Sequence, residues 1–181
     1  MALRHFRSAV LLTTCGLCIH GCARPFIPIP ITLGGETGLV FNVEPGTPSS
    51  RNLPVTLELT SDLAVGSAEL RLGADNITFE PSGAGKGAVA AQGATTTVEV
   101  TIRIAGSDEL ETVCDSGEEY GPFEVVFDAE LDVVSIDPST VTLSETTVAL
   151  INSGALSLCI DVVSTAGGTV TINGYTIVVG G

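Results

Sequence analysis

The stretch Thr97–Ile104, Thr-Val-Glu-Val-Thr-Ile-Arg-Ile, decides the fold class of this chain. Valine or isoleucine occupies every second position, and threonine, glutamate and arginine fill the positions between them. Because successive side chains of a β-strand point to opposite faces, this alternation predicts a strand with one apolar and one hydrated face. The apolar face of such a strand needs a second layer of structure to cover it.

The same alternation recurs on both sides of this stretch, and no segment shows the sustained period of about 3.6 residues that is typical of an amphipathic helix. About nine or ten short strands joined by polar or glycine turns predict an all-β protein, an antiparallel β-sandwich of immunoglobulin-like or jelly-roll-like type. The other predicted apolar rows are Leu39, Phe41 and Val43; Leu53, Val55, Leu57 and Leu59; Ala68, Leu70 and Leu72; Ile77 and Phe79; Phe123, Val125, Phe127, Ala129, Leu131 and Val133; and Leu156, Leu158, Ile160 and Val162.

Three local signals refine the arrangement of strands. Asn173-Gly174 lies between two β-rich runs and suits the positive φ angles of a type I′ turn, so the last two strands are predicted to form a hairpin. Ser144-Glu145-Thr146 is predicted to be a turn between two further strands. Pro54 has no backbone N–H to donate, which predicts that its strand lies at, or begins at, a sheet edge.

The N-terminus has the pattern of an export signal. Two arginines within residues 1–7 precede the uncharged run 9–19, which is too short to span a bilayer and typical of a secretory signal peptide. The run ends at Ile19-His20-Gly21-Cys22, which resembles the lipobox of bacterial lipoproteins, with an aliphatic residue at −3 and a small residue at −1. This resemblance implies acylation of Cys22 and a lipid-anchored position in a bacterial cell envelope. The alternative is secretion after cleavage behind Ala23.

These features predict three parts of the chain: a signal peptide over 1–21, a lipid anchor and proline-rich tether over 22–36, and a β-sandwich domain over 37–181. Three prolines between residues 25 and 30 favour an extended path. Either a stiff tether or a first edge strand fits that stretch.

Charge and composition exclude several classes of function. The formal net charge is −14, and both histidines, His5 and His20, fall within the predicted signal peptide. A mature chain without histidine lacks the imidazole of Ser-His or Cys-His nucleophile pairs and of the usual zinc sites. Its few basic residues are scattered, which argues against nucleic-acid binding. An anionic membrane surface would repel the domain, so contact with the membrane must come through Cys22.

The cysteines are consistent with export. Cys15 and Cys18 would leave with the signal peptide and Cys22 would carry the lipid, so that Cys114 and Cys159 remain as an even pair in an oxidising compartment. We therefore predict a disulfide between them, with two reduced, buried thiols as the alternative. Cys159 falls on the more hydrated face of its strand, where the bond could fasten the neighbouring acidic loop.

That loop, residues 108–120, here called the acidic segment, is the only predicted site. Calcium takes six to eight oxygen ligands, and a glycine-containing loop with clustered carboxylates could supply several of them. The segment lacks a regular calcium motif, and a solvated surface loop is the alternative interpretation. The candidate calcium ligands are Asp108, Glu109, Glu111, Asp115, Glu118 and Glu119.

A second group of carboxylates follows in the chain. Asp128, Glu130 and Asp132 stand at every second position of a predicted strand, which would place them on one face, about 6 to 7 Å apart. This spacing overlaps the separation of catalytic carboxyls in glycoside hydrolases. Sugar-binding clefts are usually lined with aromatic side chains, and aromatic residues make up only 4% of this chain. The pattern therefore favours a hydrated sheet face over catalysis.

The sequence as a whole predicts a non-catalytic envelope lipoprotein, in which an acidic β-sandwich acts as a binding or structural module tethered through acylated Cys22. No cofactor is predicted other than the calcium considered above. The alternative is a secreted or surface-attached calcium-dependent adhesion or carbohydrate-binding module. A simple measurement distinguishes these two functions, because calcium should raise the melting temperature of a calcium-dependent module and leave that of the non-catalytic lipoprotein unchanged.

Overall fold

The computed structural model of the protein describes residues 27–32, 38–57, 65–82 and 95–180. These ranges contain twelve β-strands, two α-helices and one 3-10 turn at Ala74–Asn76. The strands are β1 (Ile27–Thr32), β2 (Leu39–Val43), β3 (Ser49–Thr56), β4 (Ser67–Arg71), β5 (Ile77–Pro81), β6 (Thr96–Gly106), β7 (Glu118–Phe127), β8 (Val133–Asp137), β9 (Thr140–Thr142), β10 (Ala155–Ser164), β11 (Gly168–Ile172) and β12 (Gly174–Gly180), and the helices are α1 (Val113–Ser116) and α2 (Glu145–Ser153).

The first layer is a five-stranded antiparallel sheet in the order β3-β10-β6-β7-β8. Its centre is β6, which contains the alternating stretch Thr97–Ile104. The valines and isoleucines of that stretch point into the core, and none is more than 1% exposed. The strand predicted from the alternation is therefore confirmed.

The second layer consists of two sheets with matching neighbours, β1-β12-β4-β9 and β2-β11-β5. Strands at corresponding positions of the two sheets follow each other in the chain: β1 is followed by β2, β4 by β5, and β11 by β12. Thr32 pairs with Gly174 in one sheet, and Leu39 pairs with Ile172 in the other. The two sheets are thus the halves of one layer that is interrupted across its middle.

The two layers enclose one continuous apolar core, and the predicted antiparallel all-β sandwich is confirmed. Phe79 of the second layer contacts Phe127 of the first, with ring centroids 5.9 Å apart. Twelve strands are present in the described ranges, where the sequence predicted about nine or ten. The difference includes β1, which forms in the proline-rich stretch, and β8, which begins at Val133 as a strand separate from β7.

The predicted hairpin at Asn173-Gly174 is wrong. β11 and β12 do not pair with each other, since each lies between other strands of its own sheet. The backbone N–H of Asn173 donates to the carbonyl of Asn76 at 2.8 Å, across the interruption of the layer. Asn-Gly therefore marks the point where a strand passes from one half of the layer to the other, and no reverse turn forms there.

The predicted turn at Ser144-Glu145-Thr146 is wrong as well, because the chain forms helix α2 from Glu145 onward. The Ser144 side chain accepts a hydrogen bond from the Thr147 N–H at 3.1 Å, which caps the first turn, and Gly154 ends the helix in the left-handed conformation (φ 80°). Thr147, Val148 and Ile151 are buried on one face. These β-branched residues favour a strand locally, but the caps and tertiary packing favour the helix.

The predicted strand through residues 128–133 ends earlier, at Phe127. Asp128 Oδ1 accepts hydrogen bonds from the backbone N–H groups of Glu130 and Asp132 at 3.0 and 2.9 Å, and Leu131 adopts a positive φ of 70°. The three carboxylates are therefore part of a tight turn and do not share a strand face. The geometric basis for a glycosidase-like pair is absent from this turn.

Prolines mark two sheet edges. β3 pairs only with β10, which confirms the edge position predicted from Pro54. Residues 27–32 of the proline-rich stretch form β1, at the edge of the second layer. Of the two predicted alternatives, a stiff tether or an edge strand, these residues form the edge strand. The sheet therefore begins before the predicted domain boundary at 37. Pro28 and Pro30 cannot donate hydrogen bonds, which limits pairing of this edge with another chain.

Candidate functional site

The acidic segment is fastened to the first layer by a disulfide between Cys114 of α1 and Cys159 of β10. The bond links residues 45 positions apart in the chain. Cys159 is fully buried in a small cluster with Ala105 and Val113, on the side of the sheet that faces away from the main core. The predicted pairing is confirmed, but the cysteine is not on a hydrated surface, because α1 covers this part of the face.

The six candidate calcium ligands are divided among three elements. Asp108, Glu109 and Glu111 lie in turns before α1, and Asp115 lies in α1. Glu118 and Glu119 belong to strand β7, although the sequence predicted a loop there. Among the residues that the structure describes, no three carboxylate, histidine or cysteine side chains converge as metal ligands. The fold does not bring the predicted set together.

Glu118 is instead held in a hydrogen-bond network at the start of α2. Its Oε2 accepts from the hydroxyls of Ser144 (2.6 Å) and Thr147 (3.0 Å). The Tyr120 hydroxyl donates to Thr147 Oγ1 (2.7 Å) and accepts from the Ser144 N–H (3.2 Å). The Ser144 hydrogen bond is the main reason why the pKa of Glu118 lies below its ordinary value of 4.5, while slight burial opposes it. The network joins α2 to β7.

Replacing Ser144 with alanine is expected to lower the free energy of unfolding by about 1 kcal/mol, since it removes the helix cap. Because its pKa is lowered in the folded state, ionised Glu118 contributes to the free energy of unfolding above pH 4.5. This contribution is lost as the pH falls through the pKa of Glu118 in the folded state. Glu118→Gln should therefore reduce the acid sensitivity of the protein. Urea denaturation at neutral pH and well below pH 4.5 measures both effects.

Ser135→Ala, at an exposed serine of the edge strand β8, is the matched control. It should leave stability unchanged at both pH values. If Ser144→Ala and Ser135→Ala lowered the free energy of unfolding equally, the cap and its network would contribute nothing to stability.

Glu119 is engaged by the one basic residue of β6. Arg103 donates through Nη2 to Glu119 Oε2 at 2.6 Å and through Nη1 to Asp161 Oδ2. The guanidinium thus links β7, β6 and β10 across the outer face of the sheet, with 24% of the Arg103 side chain exposed. Because both carboxylates have a cationic partner, this cluster stabilises the sheet around the disulfide and is poorly suited to bind a metal ion.

A row of like charges lies farther along the same outer face. Glu99 of β6 stands directly opposite Glu124 of β7, and Glu124 stands directly opposite Asp137 of β8. All three residues are exposed. Like charges in direct cross-strand pairs destabilise a sheet. The sequence could not indicate this row, because it depends on the register of three strands.

Glu124→Lys is expected to raise the free energy of unfolding, by roughly 0.2–1 kcal/mol for each of its two cross-strand pairs. Any glutamate-to-lysine change also reduces the net negative charge, so Glu80→Lys serves as the control. Glu80 is an exposed strand glutamate whose cross-strand neighbour is Thr169. Thermal unfolding at low and high salt compares the stability of the two variants. An equal gain in stability for both would show that repulsion within the row does not destabilise the sheet.

The structure also contains an open cleft of about 410 Å³ on the outer face of the second layer. Arg71 lines it and donates to Glu69 at 2.9 Å. The other polar side chains of the lining carry hydroxyl or amide groups, which can bind a polar ligand by hydrogen bonds. Those groups are Asn76, Ser139, Thr140 and Thr176.

Comparison of the chain with protein-family models, with curated proteins and with solved structures finds no match in any of the three. The signal peptide over 1–21 and the lipidation site Cys22 lie outside the described residues. Within the part of the chain that the structure covers, no helix is long and apolar enough to cross a membrane.

Proposed function

We propose that this protein is a lipid-anchored module of a bacterial cell envelope, which acts by binding or as a structural element and not by catalysis. The disulfide between Cys114 and Cys159 is the observation that carries the proposal. Such bonds persist in oxidising compartments and are rare in the cytosol. The export-like N-terminus and its lipobox-like end at Cys22 point to the same compartment from an independent part of the chain.

The role as a non-catalytic module is supported by what the polar clusters do. Glu118 accepts hydrogen bonds from the hydroxyls of Ser144 and Thr147 and so fastens the start of α2 to β7, and Arg103 with its two carboxylates links three strands. The turn at 128–132 uses the Asp128 carboxylate to bind its own backbone. In each case the charged group has a structural partner, and the cleft beside Arg71 offers hydrogen-bonding groups suited to binding.

Detergent phase separation of the full-length protein, expressed in a bacterium, tests this proposal. The wild-type protein should enter the detergent phase, and Cys22→Ala should remain in the aqueous phase with the same circular dichroism spectrum. Ala23→Ser is the control, because it changes the neighbouring residue and leaves the acylated thiol. Wild-type protein that stays in the aqueous phase would overturn the lipid anchor. So would a Cys22→Ala variant that lacks residues 1–21 by intact mass and still enters the detergent.

A further inference from the structure

The strand directions place the start of β1 at a defined end of the sandwich. Ile27 pairs with Val179 near the end of β12, and Val179 pairs with Ala68 near the start of β4. The carbonyl of Ala68 accepts from the Leu143 N–H at 2.9 Å, just before α2 begins. The first residue of β1 therefore lies at the same end as α2.

The acidic segment emerges at this end too. Gly106, the last residue of β6, pairs with Leu156 at the start of β10, and the acidic segment follows directly. The Leu57 N–H donates to the carbonyl of Gly154, at the end of α2, at 2.7 Å. We call this the proximal end: the first residues of β1, helix α2 and the start of the acidic segment. From Leu110 onward the segment folds back over the outer face of the first layer, where the Leu110 carbonyl accepts from the Asn52 side chain at 2.9 Å and Cys114 is bonded to Cys159. The distal end contains Gly46, whose N–H donates to Ser164 at the end of β10 at 2.8 Å.

Two lengths relate these ends to the anchor. Cys22 precedes Ile27 by five residues, which span at most about 18 Å when fully extended. Strand β6 runs from Thr96 to Gly106, and a strand of that length separates the two ends by roughly 33 Å. A lipid on Cys22 would therefore keep the proximal end close to the bilayer, and the distal end lies beyond the reach of the tether.

Charge decides how closely the proximal end can approach. The start of the acidic segment contributes Asp108 and Glu109, where the Glu109 N–H donates to the carbonyl of Gly106 at 3.0 Å, and the start of α2 adds Glu145. Anionic headgroups repel such carboxylates over about 8 Å at physiological salt. An anionic bilayer should therefore hold this end at a distance, within the limit set by the tether.

We propose, on the basis of the lipid anchor proposed above, that the proximal end faces the bilayer without inserting and that the distal end points away from it. The partner of the proximal end is the lipid surface itself, held across a water layer by the short tether. The loops of the distal end, residues 44–48 and 165–167, are then presented to the compartment.

Energy transfer from single labels to acceptor lipids tests this orientation. The full-length lipidated protein is labelled at Asp108→Cys or Thr47→Cys, two exposed positions at the proximal and distal ends. The native cysteines do not compete for the label, since Cys114 and Cys159 form the disulfide and Cys22 carries the lipid. Each protein is added to phosphatidylcholine vesicles that contain a small fraction of acceptor-labelled lipid, and lipid attachment is verified by intact mass.

Transfer should be several-fold stronger from position 108 than from position 47. Adding phosphatidylglycerol at low salt should weaken the transfer from position 108, and added salt should restore it. With the lipid present, equal transfer from both labels or stronger transfer from position 47 would overturn the orientation and leave the anchor intact. Absence of the lipid adduct, with no transfer from either label, would overturn the anchor and the orientation with it. Cys22→Ala carrying either label is the matched negative control.

Discussion

Removal of the Cys114–Cys159 disulfide is expected to lower the free energy of unfolding by about 4 kcal/mol. The bond closes a loop of 45 residues, and the loss of loop-closure entropy in the unfolded chain has this size in the chain-entropy model. It also holds α1 over Cys159 and Ala105. Urea denaturation of the wild-type protein and of the double variant Cys114→Ala/Cys159→Ala measures the difference.

A second form of the experiment separates the bond from the side chains. Reduction of the wild-type protein should bring its unfolding midpoint close to that of the double variant, whereas the double variant should not respond to the reductant. If removal of the bond lowered the free energy of unfolding by less than about 1 kcal/mol, far below the value expected from the chain-entropy model, the bond would not constrain the unfolded chain.

Replacement of Tyr175 with alanine is expected to cost about 3–5 kcal/mol, as for other large aromatic side chains in cores. Tyr175 begins the inward row of β12 and is 1% exposed. Its hydroxyl has no hydrogen-bond partner among the residues that the structure describes. Tyr175→Phe keeps the ring and removes the unsatisfied hydroxyl, so it should leave stability unchanged or raise it by about 1 kcal/mol.

The pH dependence of stability gives this prediction an independent readout. Burial raises the pKa of the Tyr175 phenol above its ordinary value of 10. The unfolded chain then loses the proton before the folded protein does, so this contribution to stability is lost as the pH rises past 10. Tyr175→Phe should abolish the corresponding loss. If Tyr175→Phe were much less stable than the wild-type protein, the Tyr175 hydroxyl would have to make a stabilising hydrogen bond, which contradicts the prediction.

The fold class could be predicted because it depends on a local signal. The alternation in Thr97–Ile104 requires only that one face be buried, and the structure buries that face. The interruption at Asn173 could not be predicted, since it depends on a long-range bond to Asn76. Helix α2 was missed because its β-branched residues favour a strand, although Ser144 and Gly154 are recognisable caps.

The candidate site could be predicted only in part. The pairing of Cys114 with Cys159 follows from cysteine count and compartment, and the structure contains it. The partners of Glu118 and Glu119 could not be predicted, because Ser144 and Arg103 reach them only through tertiary packing and strand register. The acidic segment therefore looks like a metal-binding loop in the sequence, but in the fold two of its carboxylates serve as structural groups.

The intact mass of the protein purified from bacterial membranes tests export and anchoring most directly. We expect a chain that begins at Cys22, carries a covalent lipid adduct and has no free thiol, so that alkylation before reduction adds nothing. Alkylation after reduction should add two groups, at Cys114 and Cys159. A chain that begins at Met1 and is alkylated at five cysteines without reduction would contradict export, the anchor and the disulfide together.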